Sequence, residues 1–270
     1  MCHQTLGTIL VRGVCLILCL GVCSSRVTSQ VTIGNQGIRV PGEGGRKPGT
    51  DSVSRSGGCL SAGSVSGAEH ATRLQGTTSY NQRLLLEEQE WQQRLRVSAA
   101  IYVISADNAF AEPGGRVLLG QQLANRYMQQ GPDYALQALG YVAAHEFGHQ
   151  LQFRFNNDLP SGPATELQAD AIAGYWAGMR LAEQVEQGLP REQADAIKKL
   201  EKDAAYAIGD YVFNSPQHHG TPAERREAVS KGLEAGYSRL YGSNFRSDVN
   251  GAKLLEGTRQ IVAEVLHRGD

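Results

Sequence analysis

Aromatic side chains are absent from the first 79 residues of this 270-residue chain; all 18 lie at or beyond Tyr80. Without large apolar groups a segment cannot bury enough surface to offset its ordering entropy. Residues 34 to 67 also hold 10 glycines among many serines. The sequence therefore predicts a flexible Gly/Ser-rich tether over residues 30–79 and a folded domain over residues 80–270. Cysteine is as unevenly placed: Cys2, Cys15, Cys19 and Cys23 leave only Cys59 beyond residue 29. A chain cut there could form no internal disulfide, and a four-cysteine zinc site is excluded.

Strong charge is missing too. The net charge is −1, and losing Arg12 and Arg26 with residues 1–29 takes it from −1 to −3. No basic stripe marks a nucleic-acid partner. The apolar run Val14 to Val22 is too short to span a bilayer. With Arg12 before it and small residues after it, the stretch reads as a secretory signal peptide over residues 1–29, cleaved after Ser24 or Ser29. That predicts a periplasmic or secreted protein. Leu20-Gly21-Val22-Cys23 approximates a lipid-attachment box, so the alternative is an envelope protein lipid-anchored at Cys23.

What the chain does have is His145-Glu146-Phe147-Gly148-His149, inside the helix-patterned stretch Ala135 to Phe155. A helix advances about 100° per residue, so positions i and i+4 share a face and two imidazoles there can hold one Zn²⁺. Glu146 follows directly and is placed to act as a general base. The alternative is two surface histidines on an amphipathic helix. A third ligand argues against it. Asn156 to Pro163 reads as a break and turn, and a second helix follows from Ala164 to about Glu186. Helices joined by so short a link pack antiparallel, which returns Glu166 to the histidines. Three protein ligands, His145, His149 and Glu166, are the usual complement of a catalytic zinc. Asp170, four residues on and so on the same face, suits the outer role of accepting an imidazole N–H. Asp158 is a weaker ligand candidate on the turn. A three-histidine site is excluded, because Gln152 and Phe155 occupy the positions that would need Gly and His.

These motifs resemble the gluzincin-type zinc metallopeptidases. His145 to Gln152, Glu166 to Trp176, Ala207 to Asp210 and His219 to Arg226 look like the neutral zinc metallopeptidase family of bacteria. Asn108 to Gly115 looks more like the HtpX and CAAX-protease type. The resemblance spans roughly residues 97 to 236, with four motifs in order. It departs where Asp210-Tyr211 replaces an acid pair, and in lacking the membrane helices of HtpX-type enzymes. It implies a zincin-like α+β domain, mostly helical, with a small hairpin or sheet packed on the active-site helix. It also implies one Zn²⁺ per chain and a peptide or unfolded-protein substrate.

The remaining chemistry follows from that reading. Glu146 would take a proton from the attacking water and pass it to the leaving amine. The oxyanion needs a donor besides the metal; His219 is the first choice, with His218, Tyr211 and Arg225 behind it. Thr221-Pro222-Ala223-Glu224 reads as an N-cap, a first-turn Pro and a capping-box Glu. Val97 to Ile104 and Gly115 to Leu119 read as strands around a Pro-Gly-Gly turn. Asn108 and the segment after it are candidates for binding substrate, by edge-strand pairing with an extended peptide. Two other function classes stay open: a non-catalytic metal-site protein serving as an envelope binding or assembly factor, and hydrolysis of a non-peptide cell-wall amide.

Overall fold

The computed structural model describes residues 67–76, 78–155, 159, 162–208, 220–238 and 250–267. The expected signal peptide, Cys23, Asp158, Tyr211, His218 and His219 lie outside them. The described elements are β1 (Thr72–Arg73), α1 (Ser79–Leu95), β2 (Ala100–Ile104), β3 (Ala109–Glu112), β4 (Arg116–Gly120), α2 (Gln121–Met128), α3 (Pro132–Arg154), α4 (Pro163–Glu186), α5 (Arg191–Ile208), α6 (Pro222–Ser238) and α7 (Gly251–Leu266). The class is mostly helical α+β, as expected, with the strands in one small sheet.

The domain starts earlier than composition predicts. Thr72 and Arg73 pair antiparallel with Val103 and Tyr102 of β2, and Leu74 is buried. Arg73 also donates to the Ile101 carbonyl and to Glu88, whose other oxygen accepts from the Ile101 N–H at 2.8 Å. Residues up to 79 are therefore not all tether. One buried leucine and one well-bonded arginine secure a strand that the lack of aromatics conceals.

The sheet runs β1-β2-β4-β3. The expected strands do not form a hairpin with each other. β2 and β4 are parallel, while β3 and β4 pair antiparallel with Ala109 opposite Leu119 and Glu112 opposite Arg116. The chain leaves β2, crosses to the outer edge as β3, and returns as β4 between them. Gly114 and Gly115, at φ 98° and 91°, make the return; Gly115 also lies so close to the Ser98 carbonyl that a Cβ would sit 2.3 Å from its oxygen. β3 is thus one edge strand of the sheet and β1 the other. Side chains alternate as a pleat requires: Ile101, Val103, Val117 and Leu119 join the main core, while Ile104 and Leu118 form a small cluster with Ala68 on the other face.

Local signals set most helix ends. Pro132 and Pro163 stand in the first turns of α3 and α4, where a missing N–H costs nothing. The capping box at α6 is formed: Glu224 N–H donates to Thr221 Oγ1 at 3.2 Å, and Thr221 N–H to Glu224 Oε2 at 2.7 Å. Gly188 ends the α4 turn at φ 104°, and the Pro190 carbonyl opens α5. Among the described residues no helix is long and apolar enough to cross a membrane.

α3 sits at the centre. Its hydrophobic patterning is nearly even around the axis, as a helix buried on all sides requires, and every residue from Tyr141 to Gln152 is buried. Phe147 points away from the histidines and stacks on Trp91 of α1, centroids 5.3 Å apart, with Trp176 tilted against the same ring. The two faces of the pentad thus have different jobs: one anchors the helix and the other carries the polar cluster.

Candidate metal centre

Gly148 allows α3 and α4 to approach closely; a Cβ there would lie 3.2 Å from the Ala169 backbone. The approach brings the first turn of α4 over the histidines. His145 Nε2 and His149 Nε2 lie 3.1 Å apart, and Glu166 reaches them at 3.3 and 3.6 Å. The two rings stand nearly perpendicular, 88°. Bonds of about 2.0–2.2 Å to one tetrahedral ion put its donors about 3.3–3.6 Å apart. The two Glu166 separations match that requirement, and the His145–His149 separation of 3.1 Å falls slightly short of it. All three side chains are buried, and together they are a group that could hold a metal ion. The surface-histidine alternative is therefore excluded by burial: His145 and His149 are 1% and 0% exposed.

The outer partners are asymmetric. Asp170 takes the role expected of it, accepting from His145 Nδ1 at 2.8 Å. The same carboxylate accepts from the Tyr141 hydroxyl and from Arg225 Nε and Nη2 at 2.7 and 2.8 Å. Burial alone would raise the Asp170 pKa. The Arg225 guanidinium and His145 outweigh it and hold the carboxyl down to about 2. A carboxylate only accepts, so Nδ1 carries the proton and Nε2 is left as the donor to a metal. His149 has a neutral partner instead: Nδ1 lies 2.7 Å from Gln152 Oε1.

Arg225 needs correction. The sequence offered it as a substrate contact or oxyanion donor, but it is 1% exposed and bonded to Asp170. Its Nη2 lies 3.4 Å from His145 Nδ1, the ring nitrogen turned away from Glu166. A buried guanidinium behind the ring compensates Asp170 and positions His145. Nothing in the chain order reveals this, because 55 residues separate Asp170 from Arg225. Tyr141 and Gln152 were legible in principle, lying four residues before His145 and three after His149 on the same faces.

Glu146 is 1% exposed. Beside it a pocket of about 40 Å³ lies between Asn108 and Ala109 at the start of β3, Leu123 and Tyr127 of α2, and His145. Asn108 thus lines the same pocket as His145 and Glu146. Gln150, one residue past His149, donates to the carbonyls of Glu112 and Arg116 at 3.0 and 2.9 Å. It pins both ends of the β3–β4 turn to the helix that carries the histidines, a tie with no signal in the sequence.

Searches with this chain against protein-family models, curated proteins and solved structures found no match.

Proposed function

We propose that this chain is a zinc-dependent endopeptidase of the two-histidine, one-glutamate type. The observation that carries the reading is the convergence of His145, His149 and Glu166 at metal-ligand spacing with Glu146 beside an open pocket. Neutral imidazoles and one carboxylate in a compact set suit zinc. A site that only bound metal would not need the adjoining buried acid. The resemblance to the neutral zinc metallopeptidases supports the same reading.

Zinc, when bound, supplies Lewis acidity, lowering the pKa of a water and polarising the scissile carbonyl. Glu146 takes the proton released as the water attacks and delivers it to the leaving amine. β3 offers an edge to which an extended peptide can add as a strand, so backbone rather than side chains would give much of the affinity. Gln150 ties the β3–β4 turn beside that edge to α3, the helix that carries the histidines. His219 remains the proposed oxyanion donor.

The decisive experiment is cleavage of an unstructured protein such as casein by the full chain and by Glu146→Gln. The variant is expected to lose about 10²- to 10⁴-fold in rate with its zinc retained by elemental analysis. Cleavage by the variant at the parent rate would sink the role given to Glu146. Absence of cleavage by both, with zinc bound, would favour the non-catalytic envelope factor. Glu166→Ala is expected to weaken zinc binding by more than the 10- to 100-fold typical of losing an outer partner, measured by chelator competition. Unchanged affinity would remove Glu166 from the ligand set.

A further inference from the structure

His149 is the most buried of the three candidate ligands, and its outer partner does not stop at Gln152. The Gln152 amide nitrogen donates to the Thr165 carbonyl at 2.9 Å and to Gln168 Oε1 at 3.0 Å. Gln168 in turn donates through Nε2 to the Leu255 carbonyl of α7 at 2.9 Å. Gln168 is fully buried and Gln152 nearly so.

The direction of each link is determined. A backbone carbonyl can only accept, so Gln168 must turn its NH₂ toward Leu255 and its oxygen toward Gln152. Gln152 then faces two acceptors, Thr165 O and Gln168 Oε1, and must present its NH₂ to them. Its oxygen is left for His149. That oxygen cannot donate, so His149 Nδ1 carries the proton and Nε2 points its lone pair at the ligand position. Flipping Gln152 would press its oxygen against two acceptors, and flipping Gln168 would oppose one pair of acceptors and one pair of donors, in a buried site and at a cost of several kcal/mol. The terminal carbonyl is itself anchored: Leu255 lies on the buried side of α7, and Thr258 Oγ1 also donates to its oxygen at 3.0 Å. α7 is seated on the end of α3 through Gly251, where a Cβ would meet Leu151 at 2.4 Å and Phe155 at 2.8 Å.

We propose that α7 is part of the metal centre: through the directed relay Leu255 carbonyl–Gln168–Gln152 it fixes the tautomer and orientation of His149. Gln152 and Gln168 are positioning residues for the metal. The inference rests on the metal reading above but not on peptide hydrolysis. The two histidines are then set by independent devices. His145 answers to the Asp170–Arg225 ion pair between α4 and α6, and His149 to a neutral chain that ends in α7.

The test uses the full chain, zinc affinity by chelator competition and the visible spectrum of the cobalt-substituted protein. Gln152→Leu is expected to weaken zinc about 10- to 100-fold, and Gln168→Leu about 10-fold, with an altered cobalt spectrum in both. Because the links act in series, the double variant should bind zinc no more weakly than Gln152→Leu alone. Gln168→Met is the second variant if Gln168→Leu does not fold. Nitrogen-15 NMR of the unsubstituted zinc-loaded chain should show His149 protonated at Nδ1. Zinc affinity unchanged in Gln168→Leu or Gln168→Met, whatever their melting temperatures, would overturn the relay, as would multiplicative losses or a metal on Nδ1. A parent chain that binds no zinc would overturn the metal reading itself.

Discussion

Gly232→Ala is expected to destabilise the fold by about 3 kcal/mol or more, although alanine is the better helix former by about 1 kcal/mol. The reason is the crossing of α4 and α6. A Cβ on Gly232 would lie 2.2 Å from the Ala171 carbonyl oxygen, and one on Gly236 would lie 2.1 Å from that of Tyr175. From the other side, Gly174 and Gly178 meet the carbonyls of Val229 and Leu233, each at 2.3 Å. Contacts advance in the same direction along both chains, so the helices run parallel with backbones touching over two turns. The obstructing atoms are backbone oxygens, which cannot swing aside. The helices must part, and parting them draws Arg225 away from Asp170. Gly257 is the control: it is exposed on α7 with nothing within 4 Å of a Cβ. Gly257→Ala should stabilise by about 0.5–1 kcal/mol. Urea unfolding of both variants checks the pair. Equal and positive effects at the two sites would contradict the close crossing.

The second large effect is a loss of stability toward alkaline pH caused by Glu201. This side chain on α5 is buried, and its Oε2 has no hydrogen-bond partner among the described residues. Burial, and then the neighbouring Glu87 carboxylate, push its pKa up to about 8, against a smaller opposing pull from Arg83. Glu87 itself is committed elsewhere, to Arg83 at 2.9 Å and the Trp176 indole at 2.7 Å. The sign follows from linkage. The folded state holds this proton more tightly than the unfolded chain, so the contribution is intact below about pH 4.5. It is lost as pH rises toward 8 and levels off above. Glu201→Gln keeps the neutral form at every pH. Its stability advantage over the parent chain should therefore grow by about 4 kcal/mol between pH 5 and pH 9. Parallel stability curves for the two proteins would show that Glu201 ionises without penalty.

Both effects depend on residues that look ordinary in the sequence. Gly174, Gly178, Gly232 and Gly236 each sit four apart within helical patterns, a spacing that marks a face but names no partner. Glu201 lies among lysines and acids on an amphipathic helix, where the natural expectation is a solvated position. Only the packing of α5 against its neighbours reveals its burial. The candidate ligands were far more legible. His145, Glu146 and His149 are fixed by one helical turn, and Glu166 and Asp170 follow from a short link and a second helix. The expected strands were found, but not their pairing, because β4 inserts between β2 and β3 and no local signal encodes that order. The start of the fold was misplaced for a related reason. Composition averages over a window, whereas Arg73 and Leu74 hold β1 through two side chains.

The sequence by itself determined the spacing-dependent part of this protein: which side chains share a helix face, where helices start, and which residue types can ligate a metal. Those are properties of 3.6 residues per turn and of donor chemistry, both local. Tertiary structure alone decided what stands behind each candidate ligand. Arg225 compensates Asp170, the Gln152–Gln168 pair links His149 to α7, and Gln150 ties the β3–β4 turn to α3. Such contacts join residues tens of positions apart, and their worth comes from burial, which only the packed fold creates.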